Sequence, residues 1–97
     1  MVEHIVCFKL KPEITAEQEQ EFIEMLRGLK GKIPAIVDLS AGRNFSPERG
    51  QGFTVGLVVR FNDKAGLATY GPHEHHQPVK ARVGEICESV LAVDYEF

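Results

Sequence analysis

No stretch of this 97-residue chain approaches the roughly 20 consecutive apolar residues that a bilayer-spanning helix needs, so no membrane partner is expected. Cysteine is scarce as well. Cys7 and Cys87 lie near opposite ends of the chain, whereas small secreted domains carry several cysteines in a disulfide framework. Both sit in apolar stretches and are expected to be reduced, buried thiols. An excess of positive charge is also missing: the formal charge is -3, the pI is near 5.8, and the basic residues are scattered singly. Nucleic acid, which needs a broad basic surface, is therefore not an expected partner. The start, Met1-Val2-Glu3-His4-Ile5-Val6, has neither a basic region nor a small-residue cleavage site, so it reads as a strand and not a signal peptide. Cytoplasmic residence is the default that follows.

What is present suits one globular domain over residues 1 to 97, with 43% apolar and 26% charged residues. A chain of this size hides only about 60 to 68% of its extended surface on folding, so burial against a partner would help it. Residues 2 to 10 are β-branched, aromatic and apolar until Lys11-Pro12 stops them, which predicts a first strand. Thr15-Ala16-Glu17-Gln18 fits a capping box, and Phe22, Met25, Leu26 and Leu29 follow at helical spacing. A helix is expected over about 15 to 30, with Gly31 as its left-handed cap and Pro34 beyond it.

A second strand is expected from Ile36 to about Phe45, then a loop of turn formers over residues 46 to 52. Phe53, Val55, Leu57, Val59 and Phe61 alternate along a third strand. Asn62-Asp63 can cap a short helix through Tyr70, and Gly71-Pro72 breaks it. Val79, Val83, Ile86, Cys87 and Val90 then recur at helical spacing, with residues 73 to 77 as a turn or helix entry because Pro78 is tolerated only in a first turn. Leu91 to Phe97 closes the chain as a fourth strand.

This order is βαββαβ, the α+β ferredoxin-like arrangement with a four-stranded antiparallel sheet. Strand 1 is apolar on both faces, with Val2, Val6, Phe8 and Leu10 on one and Ile5 and Cys7 on the other. Two helices cover only one face. A second copy of the sheet is the economical cover for the other, giving a two-fold homodimer, a dimeric α/β barrel.

The chain resembles the stress-responsive A/B barrel family. The likeness is carried by His4-Ile5-Val6-Cys7-Phe8-Lys9-Leu10-Lys11, Leu29-Lys30-Gly31-Lys32-Ile33-Pro34, Gly42-Arg43-Asn44-Phe45-Ser46-Pro47-Glu48, Gly52-Phe53-Thr54, Tyr70-Gly71-Pro72-His73-Glu74-His75-His76 and Val93-Asp94-Tyr95-Glu96. It covers nearly the whole length. The resemblance implies a homodimer and, for most members, no assigned reaction. One branch is similar to a plant polyketide cyclase that acts through a tyrosine and a histidine in a pocket between sheet and helices. On that likeness Tyr70 and His76 take the places of the pair and His4 that of a pocket residue. Val55 stands where that branch has a further pocket histidine, and Leu26 where it has another tyrosine. The wider superfamily's haem-degrading and quinol-oxidising monooxygenases lean on a tryptophan, which this chain lacks.

A neutral imidazole can take a proton from an activated carbon acid, and a phenol can donate to the developing enolate oxygen. His76 and Tyr70 are therefore the candidate catalytic pair, and the plain alternatives are a core tyrosine and a helix-entry histidine. His4, His73, Phe53, Val55 and Leu26 are the candidate ligand-binding residues, with His4 read equally well as a core histidine. His73, Glu74, His75 and His76 crowd four potential ligands together, but neighbouring side chains diverge and no second pair completes a zinc spacing, so no metal is expected. No cofactor is expected either. Arg43 and Asn44 are read first as caps of the following loop. Glu17, Glu19, Glu21 and Glu24 are read as a solvated face of the first helix.

The sequence thus frames two functions. One is a homodimer holding a small hydrophobic or carbonyl-rich ligand between sheet and helices. The other is a cofactor-free cyclase- or isomerase-like enzyme.

Overall fold

A computed structural model describes residues 1–97. The elements run β1 (Val2–Leu10), α1 (Ala16–Arg27), β2 (Ile36–Arg43), β3 (Val55–Phe61), α2 (Lys64–Tyr70), a single 3-10 turn (Glu74–His76), α3 (Gln77–Ile86) and β4 (Cys87–Glu96). The capping box forms: the Thr15 hydroxyl accepts from the Gln18 N–H at 3.1 Å while the Gln18 side chain accepts from the Thr15 N–H at 2.8 Å. Asp63 likewise caps α2 through the Gly66 N–H at 2.9 Å.

Strands β2 and β3 stop at Arg43 and start at Val55, two residues inside their expected limits, and two further boundaries differ by more. Helix α1 ends at Arg27, because from Leu29 onward the chain tightens into i to i−3 turns that draw Leu29 and Ile33 into the core. Gly31 does adopt a left-handed φ of +92°, but inside that later turn. Strand β4 begins at Cys87, four residues earlier than expected, since Leu10 of β1 pairs with Cys87. Sheet hydrogen bonding overrides the helical spacing that Cys87 and Val90 continue.

The sheet order is β2-β3-β1-β4, antiparallel throughout, so β1 and β3 are central and β2 and β4 are edges. Alternation sends Val2, Val6 and Phe8 of β1 and Val55, Leu57, Val59 and Phe61 of β3 under the helices, where all are buried. Helix α1 lays Phe22, Ile23 and Leu26 onto them, and the Phe8 and Phe22 rings meet edge to face at 5.0 Å. Each such buried side chain contributes about 1.5 to 3 kcal/mol.

The opposite face carries no layer. Its rows, read across β2, β3, β1 and β4, are Gly42-Gly56-Cys7-Leu91, Ser40-Val58-Ile5-Val93 and Asp38-Arg60-Glu3-Tyr95. Leu91, Val93 and Tyr95 remain 53, 49 and 47% exposed. The last row is a charge network. Arg60 donates to both Glu3 oxygens at 3.2 and 2.9 Å and lies over the Phe97 ring at 5.0 Å. Its guanidinium holds the Glu3 carboxyl below the usual range. Both cysteines are free and only half-buried, not fully buried as expected, because Cys7 faces this uncovered side and Cys87 opens an edge strand.

The loop after β2 is held by Asn44, whose Oδ1 accepts from the Ser46 N–H at 2.8 Å and whose Nδ2 donates to the Phe53 carbonyl at 2.9 Å. Only glycine fits at Gly50, where a Cβ would stand 2.9 Å from the Phe53 carbonyl oxygen. Arg43 pairs with Glu19, so that residue leaves the solvated acidic face on which it was expected.

Candidate functional site

Between the inner face of β1 and β4 and the helices α2 and α3 lies a cavity of about 270 Å³, close to the roughly 300 Å³ at the lower end for small-molecule sites. Val6, Phe8, Leu57, Val79 and Val83 supply much of its wall, and Val90 and Ala92 of the edge strand β4 line its rim. Its polar groups are His4, Tyr70, His76 and Lys80.

Local structure places these groups. His4 follows the alternation of β1 onto the helix side. Tyr70 is the last residue of α2 and is buried. The chain then turns back on itself, with the His73 N–H on the Tyr70 carbonyl at 3.2 Å and the His76 N–H on the His73 carbonyl at 2.9 Å. The Gln77 side chain braces the turn by donating to the carbonyls of Pro72 and His73 at 3.1 and 3.2 Å. Pro78 sits in the first turn of α3, where its missing N–H costs nothing. The result stacks the His76 ring on Tyr70 with centroids 4.2 Å apart, while His4 meets Tyr70 edge-on at 5.8 Å.

Protonation is set by this packing. Burial pushes the Tyr70 hydroxyl up to about 12, so it stays a neutral phenol able to donate. Burial is also the main influence on His76, pushing its imidazole down, and the nearby Lys80 charge adds to that. Its Nδ1 lies 3.0 Å from the Gly71 carbonyl, so in the neutral ring Nδ1–H donates there and Nε2 keeps its lone pair. His4 directs its Nδ1 to the Asp94 carboxylate across the β1–β4 ladder. A neutral base, a phenol donor and a braced imidazole thus share one small apolar chamber.

His4, Leu26, Tyr70 and His76 meet in this cavity. Phe53 and Val55 do not; they border an open hollow of about 640 Å³ on the uncovered face, walled by the loop after β2 and floored by Gly42, Gly56 and Cys7. His73 stays outside both, its Nδ1 accepting from the His75 N–H at 3.1 Å and its ring stacked on His75 at 5.5 Å. No three His, Cys, Asp or Glu side chains stand where they could share a metal ion. Sequence reasoning misses Asp94 and Lys80, although each has a signal: Asp94 continues the alternation of Val90 and Ala92, and Lys80 lies one helical turn after His76.

These features define a ferredoxin-like α+β protein with a helix-covered cavity on one side of its sheet and an uncovered apolar surface on the other. The chain belongs to the stress responsive A/B barrel domain family, whose model matches residues 2–97. It is 28% identical over 95 residues to a stress-response A/B barrel domain-containing protein of Arabidopsis thaliana, an alignment that covers 97% of this chain and spans 36% of that relative's length. It is also 28% identical over 95 residues to olivetolic acid cyclase of Cannabis sativa, covering 97% of this chain and 94% of the cyclase. Among solved structures, a dimeric protein of unknown function with a ferredoxin-like fold from Bacteroides fragilis superposes with a TM-score of 0.85 at 31% identity, over 99% of this chain and 95% of that one.

Proposed function

We propose that this protein is a homodimer, formed through the uncovered sheet face, that binds a small, largely apolar, carbonyl-bearing ligand in the cavity between β1, β4 and the helices. One observation carries the ligand reading: an apolar chamber whose stacked Tyr70 and His76 offer a phenol donor and a free imidazole lone pair side by side. A ligand carbonyl accepts from the phenol while its hydrocarbon part fills the aliphatic walls. The dimer is supported by Leu91, Val93 and Tyr95 standing exposed beside Ile5 and Val58, and by the dimeric Bacteroides relative.

The test of the ligand is a thermal-shift panel of small apolar ketones and aldehydes. A bound ketone raises the melting midpoint with the logarithm of its concentration. The shift is expected to shrink in Tyr70→Phe, which removes only the donor. Equal shifts in both proteins, or none in either, refute the proposed site. Sedimentation of the dilute protein should give twice the chain mass, and a single-chain mass refutes the dimer.

A second reading, acid–base chemistry on an enolisable substrate, is favoured by the fixed tautomer of His76 and by the likeness to a cyclase. General base catalysis of this kind contributes about 10² to 10⁴ fold. It predicts that the protein speeds deuterium exchange at the α-carbon of a bound ketone and that His76→Ala abolishes the acceleration.

A further inference from the structure

The outer face of the sheet is lopsided. Its β4 side presents Leu91, Val93 and Tyr95, each about half exposed, while the β2 side of the same three rows presents only Gly42, Ser40 and Asp38. The chain itself does not require the smallest of these. A Cβ added at Gly42, or at Gly56 beside it, would meet nothing within 4 Å, and neither glycine has a positive φ, so both leave room that no part of this chain uses. That room is the floor of the open hollow of about 640 Å³.

In an isologous dimer every contact occurs twice, and two sheets packed face to face have their two-fold axis between them, running along the strands or across them. With the axis along the strands, β4 of one copy lies over β2 of the other and each row meets itself. The partner's Leu91 then stands over Gly42, the partner's Val93 over Ser40 and the partner's Tyr95 over Asp38. Arg60 faces the partner's Glu3, so the ionic rows meet with opposite signs opposed. Asp38, which engages Lys30 and the Leu39 N–H through Oδ1, keeps Oδ2 to accept from the partner's Tyr95 hydroxyl. With the axis across the strands, large side chains would meet large ones along β4 and small ones would meet small along β2, which sheets about 10 Å apart cannot accommodate at both edges. The ionic row would also be buried on Gly56 and Cys7, which offer it no charge. We infer that the glycine-floored hollow is a socket for the partner's Leu91, so that two copies join with β4 of each over β2 of the other. The roughly 30° offset usual between packed sheets moves the edges by about one residue, within the breadth of the hollow. The inference rests on the dimer proposed above and adds its register and the residues that key it.

Cross-linking and sedimentation read the register. In a Cys7→Ser, Cys87→Ser background, protein carrying Gly42→Cys is mixed with protein carrying Leu91→Cys, the subunits exchange, and a short bismaleimide is added. A link between the two kinds of chain is expected, with little between two Leu91→Cys chains. In the otherwise unmodified protein, Gly42→Leu is expected to weaken association about ten- to a hundredfold by crowding the partner's Leu91, and adding Leu91→Ala to it should restore most of the loss. A protein that sediments as a dimer but whose mixed pair does not link, or whose Leu91→Cys chains link mainly to each other, overturns the register and leaves the dimer standing. Association left unchanged or strengthened by Gly42→Leu, or not restored by Leu91→Ala, does the same. Single chains in sedimentation of the unmodified protein overturn the dimer and the register together.

Discussion

The two faces of the sheet are made from the same strands and are built for different ends. On the inner face, β1 and β3 alternate Val2, Val6, Phe8 and Val55, Leu57, Val59, Phe61, and the helices bury every one. On the outer face the same strands present Ile5, Cys7 and Val58 between a charged row and a glycine-floored hollow, and nothing of this chain covers them. The inner face is finished by its own sequence. The outer face is apolar in the middle and ionic at one end. The cavity lies where the inner face is least complete, along the edge strand β4, whose Val90 and Ala92 receive no helix.

That contrast is open to attack in order of effect. Phe22→Ala should be the most damaging change, because it empties a fully buried site against Phe8; a loss of about 3 to 5 kcal/mol is expected in denaturant unfolding. Next, Val93→Asp should leave the chain folded but convert the sedimenting species to single chains, weakening association by about a hundredfold through an unpaired charge at the interface. A variant that stays dimeric would show that the outer face is not the contact.

The third effect is one of pH. Tyr70 is raised to about 12 from an ordinary 10, so its neutral form favours the folded state. That contribution is complete below about pH 10 and is lost as pH climbs toward 12. In a Tyr95→Phe background, tyrosinate absorbance should rise late, and Tyr70→Phe should flatten the alkaline decline in melting midpoint. The smallest change concerns the outer row. Glu3 is lowered by Arg60, so its contribution holds above the usual carboxylate range and is lost as pH falls through the lowered value. Glu3→Gln should therefore cost stability at neutral pH and little in strong acid, which paired melting curves would reveal.

Much of this architecture was legible in the residues. The capping box at Thr15, the cap at Asp63, the stop at Gly71-Pro72 and the alternation of β3 are local signals, and local hydrogen bonding and packing decide them. The start of β4 was not legible, because Cys87 and Val90 fit a helical period until Leu10, far away in sequence, claims Cys87 for the ladder. The cavity was half legible. Tyr70 and His76 are near neighbours in one braced turn, whereas His4 reaches the cavity from the start of the chain and is held there by Asp94 near its end. Phe53 and Val55 keep the inner phase but stand at the end of β3 beside the loop after β2, where they border the other hollow, while Phe61 at the far end of the strand is the one that meets Tyr70.

Sequence alone decided which stretches become helix or strand and that β1 would be apolar on both sides, because side-chain spacing and caps act within a few residues. Only the folded chain decided that Asp94 would hold His4 and that Lys80 would join Tyr70 and His76 around one cavity. Those outcomes depend on strand register and on where helices run short, and both are settled by contacts between residues distant in the chain.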